Sequence, residues 1–594
     1  MVKELSSKVA RLMELFFMSG SLLFCICLAY FVVAYFCYGG YLKRVFRIDP
    51  KNPTPAHTQF DGIDYVPTPR IVLFGHHFAS IAGPGPIVGP IMAAYFGWLP
   101  ALIWILVGCV FVGAFHDFAA MVMSVRNKGR SISYIMEDLM GYAGRMLFLI
   151  FCCSCLVLIV GIFTLLIAGM FVQIPAVATA SLLFICMAPL FALCSMKLGF
   201  GLKKSSFVFV PLVFLTVLIG DLLPIDLVAS FGMSKQGATY IWIAVLAVYV
   251  FAASVVPVQW LLQPRDYLNS YLLYGMLALG IVSIIAYNPD INLNAFNGWT
   301  ALTADGNMTA MIPALFIFIA CGACSGFHSL VASGTTSKQI NSEKDLLPIG
   351  YGGMILEGVL GVMALVAVMA MDPATFFEVG KNQPMAFATG IASFSAALGI
   401  PEVYSKVFIS LAISAFMMTS LDTATRLGRF LWQELFMPRT KKENNDIAVS
   451  KNEPQIAQWR RIITNPFLAA FIIVGLSMLM ALTGSAASIW PIFGASNQLM
   501  AGLTFLGITL YLMIKGANWI ISFIPMVLMM VMSLWGVAQV VSQQWGQNSV
   551  LVVSGIFLFA MAVLMILLGA SIMLHHLKAI YGKKEFAYAK VEND

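Results

Sequence analysis

An apolar segment over residues 71–97 carries an interruption that no regular helix can accommodate. Its middle reads Gly83-Pro84-Gly85-Pro86, and Gly89-Pro90 follows shortly after. Proline removes a backbone donor and glycine has no side chain to favour the helix, so we expect two half-helices joined by unwound backbone. At membrane depth such backbone is tolerated only where protein or a water-filled cavity surrounds it. The segment therefore predicts a membrane protein with a broken helix in its interior.

A second apolar segment, residues 309–334, carries a matching interruption. It contains the run Cys321-Gly322-Ala323-Cys324-Ser325-Gly326. The stretch His328–Gly334 then aligns with His77–Gly83 as His, four residues, a small residue and Gly. Paired interrupted segments in the two halves of a chain point to the substrate and ion sites of secondary transporters. We therefore expect the two breaks to face each other across a binding site.

The composition fits a protein embedded in a lipid bilayer. Of the 594 residues, 60% are hydrophobic and only 10% are charged, which a soluble domain does not match. At about 20 residues per span, the apolar runs predict about 15 transmembrane segments. The net charge of +7 comes from basic residues in short loops, so it indicates no nucleic-acid partner.

Loop charge predicts the orientation of these segments. Arg126, Arg265, Lys338 and the long loop 425–461 fall on one side, which the positive-inside rule makes cytoplasmic. Under this count the two broken segments run in opposite directions, as an inverted-topology repeat requires. We expect an all-α polytopic fold with a five-plus-five LeuT-type core, and a seven-plus-seven inverted repeat is the alternative. Residues 385–399 are too short and too polar to count as a span.

The same reading divides the chain into three regions. Residues 1–70 hold one membrane helix and a cytoplasmic loop, residues 71–515 form the transporter core, and residues 516–594 add C-terminal membrane helices and a short cytoplasmic tail. The stretch 438–461 is polar and charged, which predicts a mobile cytoplasmic segment.

Motifs spread along the chain resemble those of the carbon starvation protein A family of bacterial inner-membrane transporters. They occur in order as Asp61–Thr68, Phe74–Phe78 continuing to Gly89-Pro90, Pro264–Leu268, Ser325–Thr336, Gly350–Met354, Asp422–Arg426 and Trp490–Gln498. The resemblance implies membership of the amino acid–polyamine–organocation superfamily. It also implies proton-driven uptake of pyruvate or peptides across the bacterial plasma (inner) membrane during carbon starvation.

The chain also departs from that family's pattern. It is shorter than the well-known enterobacterial members, and we expect it to lack their first membrane segment and much of the insert near residues 372–402. It carries His116 where relatives can have glutamine. The missing insert leaves the size of the substrate open.

Two acidic residues inside apolar segments are candidates for proton coupling, because ionisable residues at membrane depth are costly and are functional candidates by default. Glu357 lies among apolar residues and glycines. Two readings of it stay open, a proton carrier or a neutral, hydrogen-bonded structural residue. Asp117 follows His116 directly, and we favour a local pair or cap for these two.

Asp422 is a candidate for ion coupling. Arg426 lies four residues on, which predicts an ordinary ion pair on one face of a helix. Thr419 and Ser420 precede Asp422. By resemblance to LeuT-type folds, such a hydroxyl pair implies a sodium site beside the first broken helix. Protons are the first candidate for the coupling ion and sodium is the second.

Three histidines at the breaks are the sharpest candidates for substrate binding. If the broken helices converge, their imidazoles can bind a carboxylate, relay protons or ligate a metal, although each can also be a satisfied structural residue. Short hydroxyls and half-helix N-termini supply further donors for an anion. The candidate substrate-binding residues are His76, His77, Ser80, Gly83, Gly85, Ser325, His328 and Ser329, with His76, His77 and His328 as the metal alternative.

Other function classes fit less well. No phosphate loop, nucleophile elbow or HExxH motif occurs, so we expect no enzyme and no cofactor. A channel and a membrane nutrient sensor remain the alternatives of another class. The predicted function is secondary active uptake of a small carboxylate, pyruvate before peptides, and the oligomeric state is left open.

Overall fold

The computed structural model describes residues 19–437 and 458–591, apart from residues 63, 258, 259, 305 and 485. The predicted mobile segment 438–461 therefore lies almost entirely outside the described residues. The fold is helical, as predicted, with one addition. Strands β1 (Thr300–Leu302) and β2 (Met308–Ala310) form an antiparallel hairpin in which Ala301 pairs with Thr309.

The first half of the chain forms helices α1 to α13, and the first break lies between α4 and α5. They are α1 Gly20–Ala34, α2 Gly40–Val45, α3 Pro55–Thr58, α4 Arg70–Ile81, α5 Gly85–Ala93, α6 Trp98–Gly108, α7 Ala114–Arg126, α8 Ile132–Gln173, α9 Pro175–Ala192, α10 Gly201–Leu222, α11 Leu227–Phe231, α12 Lys235–Val255 and α13 Leu262–Tyr287. Within α8, Gly141 has a φ of 76° and marks a kink, a backbone conformation that favours glycine.

The helices of the second half begin at the second break. They are α14 Met311–Phe318, α15 Ala320–Ala323, α16 Gly326–Gly334, α17 Gly352–Met369, α18 Pro373–Val379, α19 Gln383–Ser395, α20 Glu402–Phe436, α21 Gln458–Ile463, α22 Pro466–Thr483, α23 Ala486–Ile514, α24 Ile520–Gln544 and α25 Ser549–Val591. π-helical turns extend four helices, at Tyr35–Gly39, Cys109–Gly113, Leu193–Lys197 and Leu347–Tyr351.

Among the described residues, 13 helices are long and apolar enough to cross a membrane, and the bent pair α4–α5 brings the number to 14. The sequence predicts about 15 segments, and the difference lies in residues 309–334. That segment divides into α14, α15 and α16. None of these short helices reaches the length of a span, which is about 20 residues.

The most deeply buried spans are α17, α20 and α23, which form the interior around the breaks. In the most apolar stretch of α20 and of α23, 94% of the residues are buried, against 28% in the span Lys203–Phe231. An apolar helix that is buried on all sides belongs to a protein interior, whereas one that exposes apolar residues on most sides faces lipid. The inverted repeat itself stays a prediction.

Residues 373–395 form two helices, α18 and α19, in a region where hydropathy predicts no membrane span. Helix α19 is buried through Phe387, Ile391 and Phe394 and packs against α13 and α20. The prediction that residues 385–399 do not form a span is consistent with the 13 residues of α19. Its small and polar residues hide the helix from a hydropathy count, and burial comes from neighbouring helices.

The two breaks lie directly against each other. The chain bends by 47° between α4 and α5, and α5 then crosses the second break. A Cβ at Gly85 would overlap the Cys321 side chain, and one at Gly322 would lie 3.4 Å from Cα of Pro86. Glycine at position 85 therefore permits the close approach of the broken segments, whereas a Cβ at Gly322 would only reach ordinary van der Waals contact.

Loops assigned to the cytoplasmic side by their charge are joined by ion pairs. Arg126 Nε lies 3.1 Å from Glu343 Oε1, and Arg70 Nε lies 2.6 Å from Asp345 Oδ1. These pairs bring the loop after α7 and the start of α4 against residues 343–345. The contact supports placing these loops on one face of the protein.

Candidate functional site

Four ionisable side chains from three helices contact one another in a buried row, called here the Glu357 cluster. They are His116 and Asp117 on α7, His328 on α16 and Glu357 on α17. His116 Nδ1 lies 2.8 Å from Asp117 Oδ1, and His328 Nδ1 lies 2.7 Å from Asp117 Oδ2. His328 Nε2 lies 3.4 Å from Glu357 Oε2. All four side chains are at most 1% exposed.

The hydrogen bonds fix which ring atoms of the histidines are free. A carboxylate only accepts, so Nδ1 of both rings donates to Asp117. For His328 this directs Nε2 towards Glu357. Neither carboxyl oxygen of Glu357 has a hydrogen-bond partner among the described residues. The two readings of Glu357, a proton carrier and a neutral structural residue, both stay predictions. In the first, a proton is held by Nε2 of His328 or by the carboxyl group of Glu357.

The favoured reading of Asp117 as only a local partner of His116 is incomplete. The local contact is present, but the second carboxylate oxygen reaches His328, which lies 211 residues further along the chain. Glycines bring the helices close enough for this contact. A Cβ at Gly113 would overlap the backbone oxygen of Ala323 in the second break, and one at Gly350 would lie 3.1 Å from Cα of Phe118.

Asn497 on α23 holds the second break and was missed by the sequence reading. Its Oδ1 accepts from the backbone N–H of Phe327 at 2.9 Å, and its Nδ2 donates to Ser325 Oγ at 3.0 Å. The neighbouring Gln498 donates to the carbonyl of Phe316 at 3.2 Å. The sequence signal that could have identified Asn497 is an Asn-Gln pair in an apolar span, since polar residues at membrane depth often form hydrogen bonds between helices.

The three histidines at the breaks do not form a shared centre. His77 Nδ1 lies 2.9 Å from Thr336 Oγ1, whereas His76 Nδ1 lies 3.2 Å from Asp266 Oδ2. His328 belongs to the Glu357 cluster. Within the described parts of the chain, no group of three or more His, Cys, Asp or Glu side chains is arranged to hold a metal ion. The metal reading of His76, His77 and His328 is therefore not supported.

His77 nevertheless offers a free polar atom in the interior. Its side chain is fully buried, and its Nε2 has no hydrogen-bond partner among the described residues. When the Thr336 hydroxyl donates to Nδ1, Nε2 carries the proton and becomes a donor. This nitrogen lies against α17, because a Cβ at Gly353 would be 3.8 Å from it.

The predicted hydroxyl ligands are already engaged within the protein. Ser80 Oγ donates to the carbonyl of His76, and Ser329 Oγ donates to the carbonyl of Gly326. Ser325 accepts from Asn497. Gly83 and Gly85 act through packing, since a Cβ at Gly83 would lie 3.1 Å from the Phe163 ring. These residues shape the breaks in this conformation, and His77 and His328 are the ones that present side-chain nitrogen atoms.

A second buried group, called here the Arg265 cluster, consists of Tyr249, Arg265, Asn269, Thr419 and Asp422 from α12, α13 and α20. The Arg265 guanidinium contacts both Asp422 and Tyr249, and its Nη2 donates to Thr419 Oγ1 at 2.9 Å. Asn269 Nδ2 donates to the same hydroxyl at 2.9 Å, and Tyr249 donates to Asp422 at 2.7 Å. Arg265 is 0% exposed.

Two predictions about this region are wrong. Arg265 is not a loop residue but a buried one, because α13 begins at Leu262 and carries it into the interior. The ionic partner of Asp422 is Arg265 and not Arg426, whose guanidinium donates to the backbone oxygens of Ala253 and Val256. The polar run around Arg265 resembles a loop in sequence, and only the fold shows that it is enclosed.

Comparisons with known proteins agree with the geometry of a membrane protein. The sequence model of the family described as carbon starvation protein CstA matches residues 19–386 and 381–536. The Campylobacter jejuni protein named peptide transporter CstA is 30% identical over 575 residues, covering 85% of this chain and 78% of its own length. The Escherichia coli protein named pyruvate/proton symporter BtsT is 28% identical over 585 residues, covering 85% of this chain and 79% of its own length.

Among solved structures, a mutant of the Eremococcus coleocola manganese transporter matches with a TM-score of 0.49 at 10% sequence identity. The match covers 87% of this chain and 99% of that chain.

Proposed function

The chain belongs to the carbon starvation protein CstA family, and we propose that it is a proton-coupled symporter that takes up a small carboxylate, with pyruvate as the first candidate. It is a multi-pass bacterial membrane protein, and its relatives are transporters. The observation that carries the proposal is the position of His328, held between Asp117 and Glu357 on the half-helix that starts at the second break.

The proton site is the pair His328 and Glu357. Asp117 orients the His328 ring, so that Nε2 lies 3.4 Å from Glu357 Oε2 across the contact between α16 and α17. With His328 charged and Glu357 ionised, the two helices attract each other by on the order of a few kcal/mol at an intermediate effective dielectric. Protonation of Glu357 removes that attraction. The protonation state is thereby linked to the packing of the half-helix at the second break.

The substrate site is the region beside the two breaks where His77 offers its Nε2. His77 lies at the far end of half-helix α16, since its Nδ1 is 2.9 Å from Thr336 Oγ1 and α16 ends at Gly334. A carboxylate is a ligand that suits an imidazole N–H donor. The close contact of Gly85 with Cys321 makes the site in this conformation compact, which favours a small acid such as pyruvate.

Peptide uptake is the second candidate, and it is supported by the printed names of relatives. The Campylobacter jejuni protein and a Bacillus subtilis protein that is 31% identical over 528 residues are both named peptide transporter CstA. A peptide requires the two breaks to separate further than a small acid does. The same proton site would serve either substrate.

Uptake into proteoliposomes separates these candidates. We expect labelled pyruvate to accumulate when the outside is acidic, and not when only a sodium gradient is imposed, with a protonophore abolishing the accumulation. Accumulation of a labelled dipeptide but not of pyruvate would favour the second candidate. Flux that only equilibrates the substrate, with no accumulation under any gradient, would overturn the symporter and favour a channel.

A further inference from the structure

The Arg265 cluster reaches the first break through α20, where Ser420 follows the cluster residue Thr419 directly. Ser420 Oγ donates to the carbonyl of Ser80 at 3.2 Å, and a Cβ at Gly83 would lie 3.4 Å from that hydroxyl. Helix α4 ends at Ile81, so the negative end of its dipole points towards α20. A half-helix C-terminus with unwound carbonyls is where transporters hold coupling cations.

The side chains of Thr419 and Asp422 supply oxygen atoms that could bind a cation, and both already contact the guanidinium of Arg265. Thr419 Oγ1 accepts from Arg265 at 2.9 Å, and Asp422 pairs with the same guanidinium. The other carboxylate oxygen of Asp422, Oδ1, is buried and has no hydrogen-bond partner among the described residues. The Asp422 carboxylate, the hydroxyls of Thr419 and Ser420 and the C-terminus of α4 together stabilise a positive charge.

We infer that Arg265 is a resident cation at a site that would otherwise bind an alkali ion, so that sodium is not a coupling ion of this protein. An arginine keeps its charge inside proteins, which means that the position is permanently filled. Helices α12 and α13 supply Tyr249 and Asn269 to this site. The inference deepens the proposed function, but its first readout is cation binding and needs no transport.

The binding test compares the melting temperature of purified protein in sodium chloride and in choline chloride at equal ionic strength. We expect no sodium-specific shift for the unsubstituted protein. For Arg265→Gln we expect a melting temperature that rises with sodium concentration, because an ion bound only by the folded state stabilises it by mass action. A sodium-specific shift of the unsubstituted protein, or a folded Arg265→Gln protein without one, would overturn the inference.

Three further variants isolate the cause. Arg265→Gln combined with Asp422→Asn removes the carboxylate, so the sodium response should disappear. Arg265→Lys keeps a cation in place and should stay unresponsive to sodium, which keeps the inference testable if Arg265→Gln does not fold. Arg426→Gln removes a buried guanidinium that bonds to backbone carbonyls, and it is the matched control without a sodium response. A response in Arg265→Lys or in the double variant contradicts the inference.

Uptake gives an independent second readout. For the unsubstituted protein, pyruvate accumulation should be equal in sodium and choline media. For Arg265→Gln, accumulation should be at least tenfold lower in choline than in sodium, when the sodium concentration is about ten times the dissociation constant of the bound ion. If no substrate is taken up at all, the proposed function fails while the melting result still decides the role of Arg265.

Discussion

The Glu357 cluster and the Arg265 cluster are both buried beside the breaks, yet they hold charge in different ways. The Arg265 cluster contains a guanidinium that contacts a carboxylate, a phenol and a hydroxyl. The Glu357 cluster contains two imidazoles and two carboxyl groups, and both oxygens of Glu357 are without a hydrogen bond among the described residues. The guanidinium of the first cluster keeps its charge, because arginine does not lose its proton, whereas the imidazoles of the second cluster can change theirs.

This difference assigns separate roles to the two clusters. A fixed ion pair ties α13 to α20 beside the first break, and a titratable pair ties α16 to α17 beside the second. The second pair is the one to which we assign the response to a proton gradient. The comparison teaches that a buried charge at a broken helix is not by itself a coupling site, since its partners decide whether it can exchange a proton.

The largest expected effect is a difference in protein stability between a variant of the Arg265 cluster and a variant of the Glu357 cluster. Asp422→Asn leaves the guanidinium of Arg265 without its ionic partner, and breaking a buried pair in this way costs about 3–5 kcal/mol. Glu357→Gln is a matched isosteric change that removes no hydrogen bond among the described residues. At a pH at which Glu357 is protonated it also removes no charge, so we expect the free energy of unfolding to change by less than about 1 kcal/mol. Denaturant unfolding of both variants in detergent is the measurement. Equal losses in the two variants would remove the distinction between the clusters.

A smaller effect is expected for the residue that orients His328. Asp117→Asn weakens charged hydrogen bonds to two imidazoles, each typically worth about 1.5–3 kcal/mol, so proton-driven uptake should fall roughly ten- to a hundredfold. Asp372→Asn is the control for the same chemical change, because Asp372 is exposed and caps α18 through Thr375. Uptake by Asp117→Asn at the level of this control would show that the orientation of His328 is unimportant.

The next effect concerns substrate affinity. His77→Ala should raise the apparent KM for pyruvate roughly ten- to a hundredfold, as expected for the loss of one charged hydrogen bond. Ser80→Ala should change KM less than about threefold, because its hydroxyl bonds to a carbonyl of its own helix and such a bond contributes as little as about 0.5 kcal/mol. KM values from initial uptake rates test this order, and a larger effect of Ser80→Ala would reverse it.

Local signals predict the breaks, whereas the contacts between distant residues need the fold. Gly83–Pro86 carries its own conformational constraints, and the structure bends there by 47°. The approach of Asp117 to His328 joins residues 211 positions apart, and no pattern in one sequence encodes it. Arg265 was misplaced because a polar run in sequence looks alike whether it lies in a loop or at the buried start of a helix.

The central claim is that Glu357 carries the proton that moves with the substrate. Its most direct test is the internal pH of proteoliposomes after pyruvate is added outside, measured together with pyruvate exchange under equal concentrations on both sides. We predict internal acidification by the unsubstituted protein. For Glu357→Gln, we predict no acidification and retained exchange, because exchange requires no net proton movement. Acidification by Glu357→Gln at the rate of the unsubstituted protein would contradict the account.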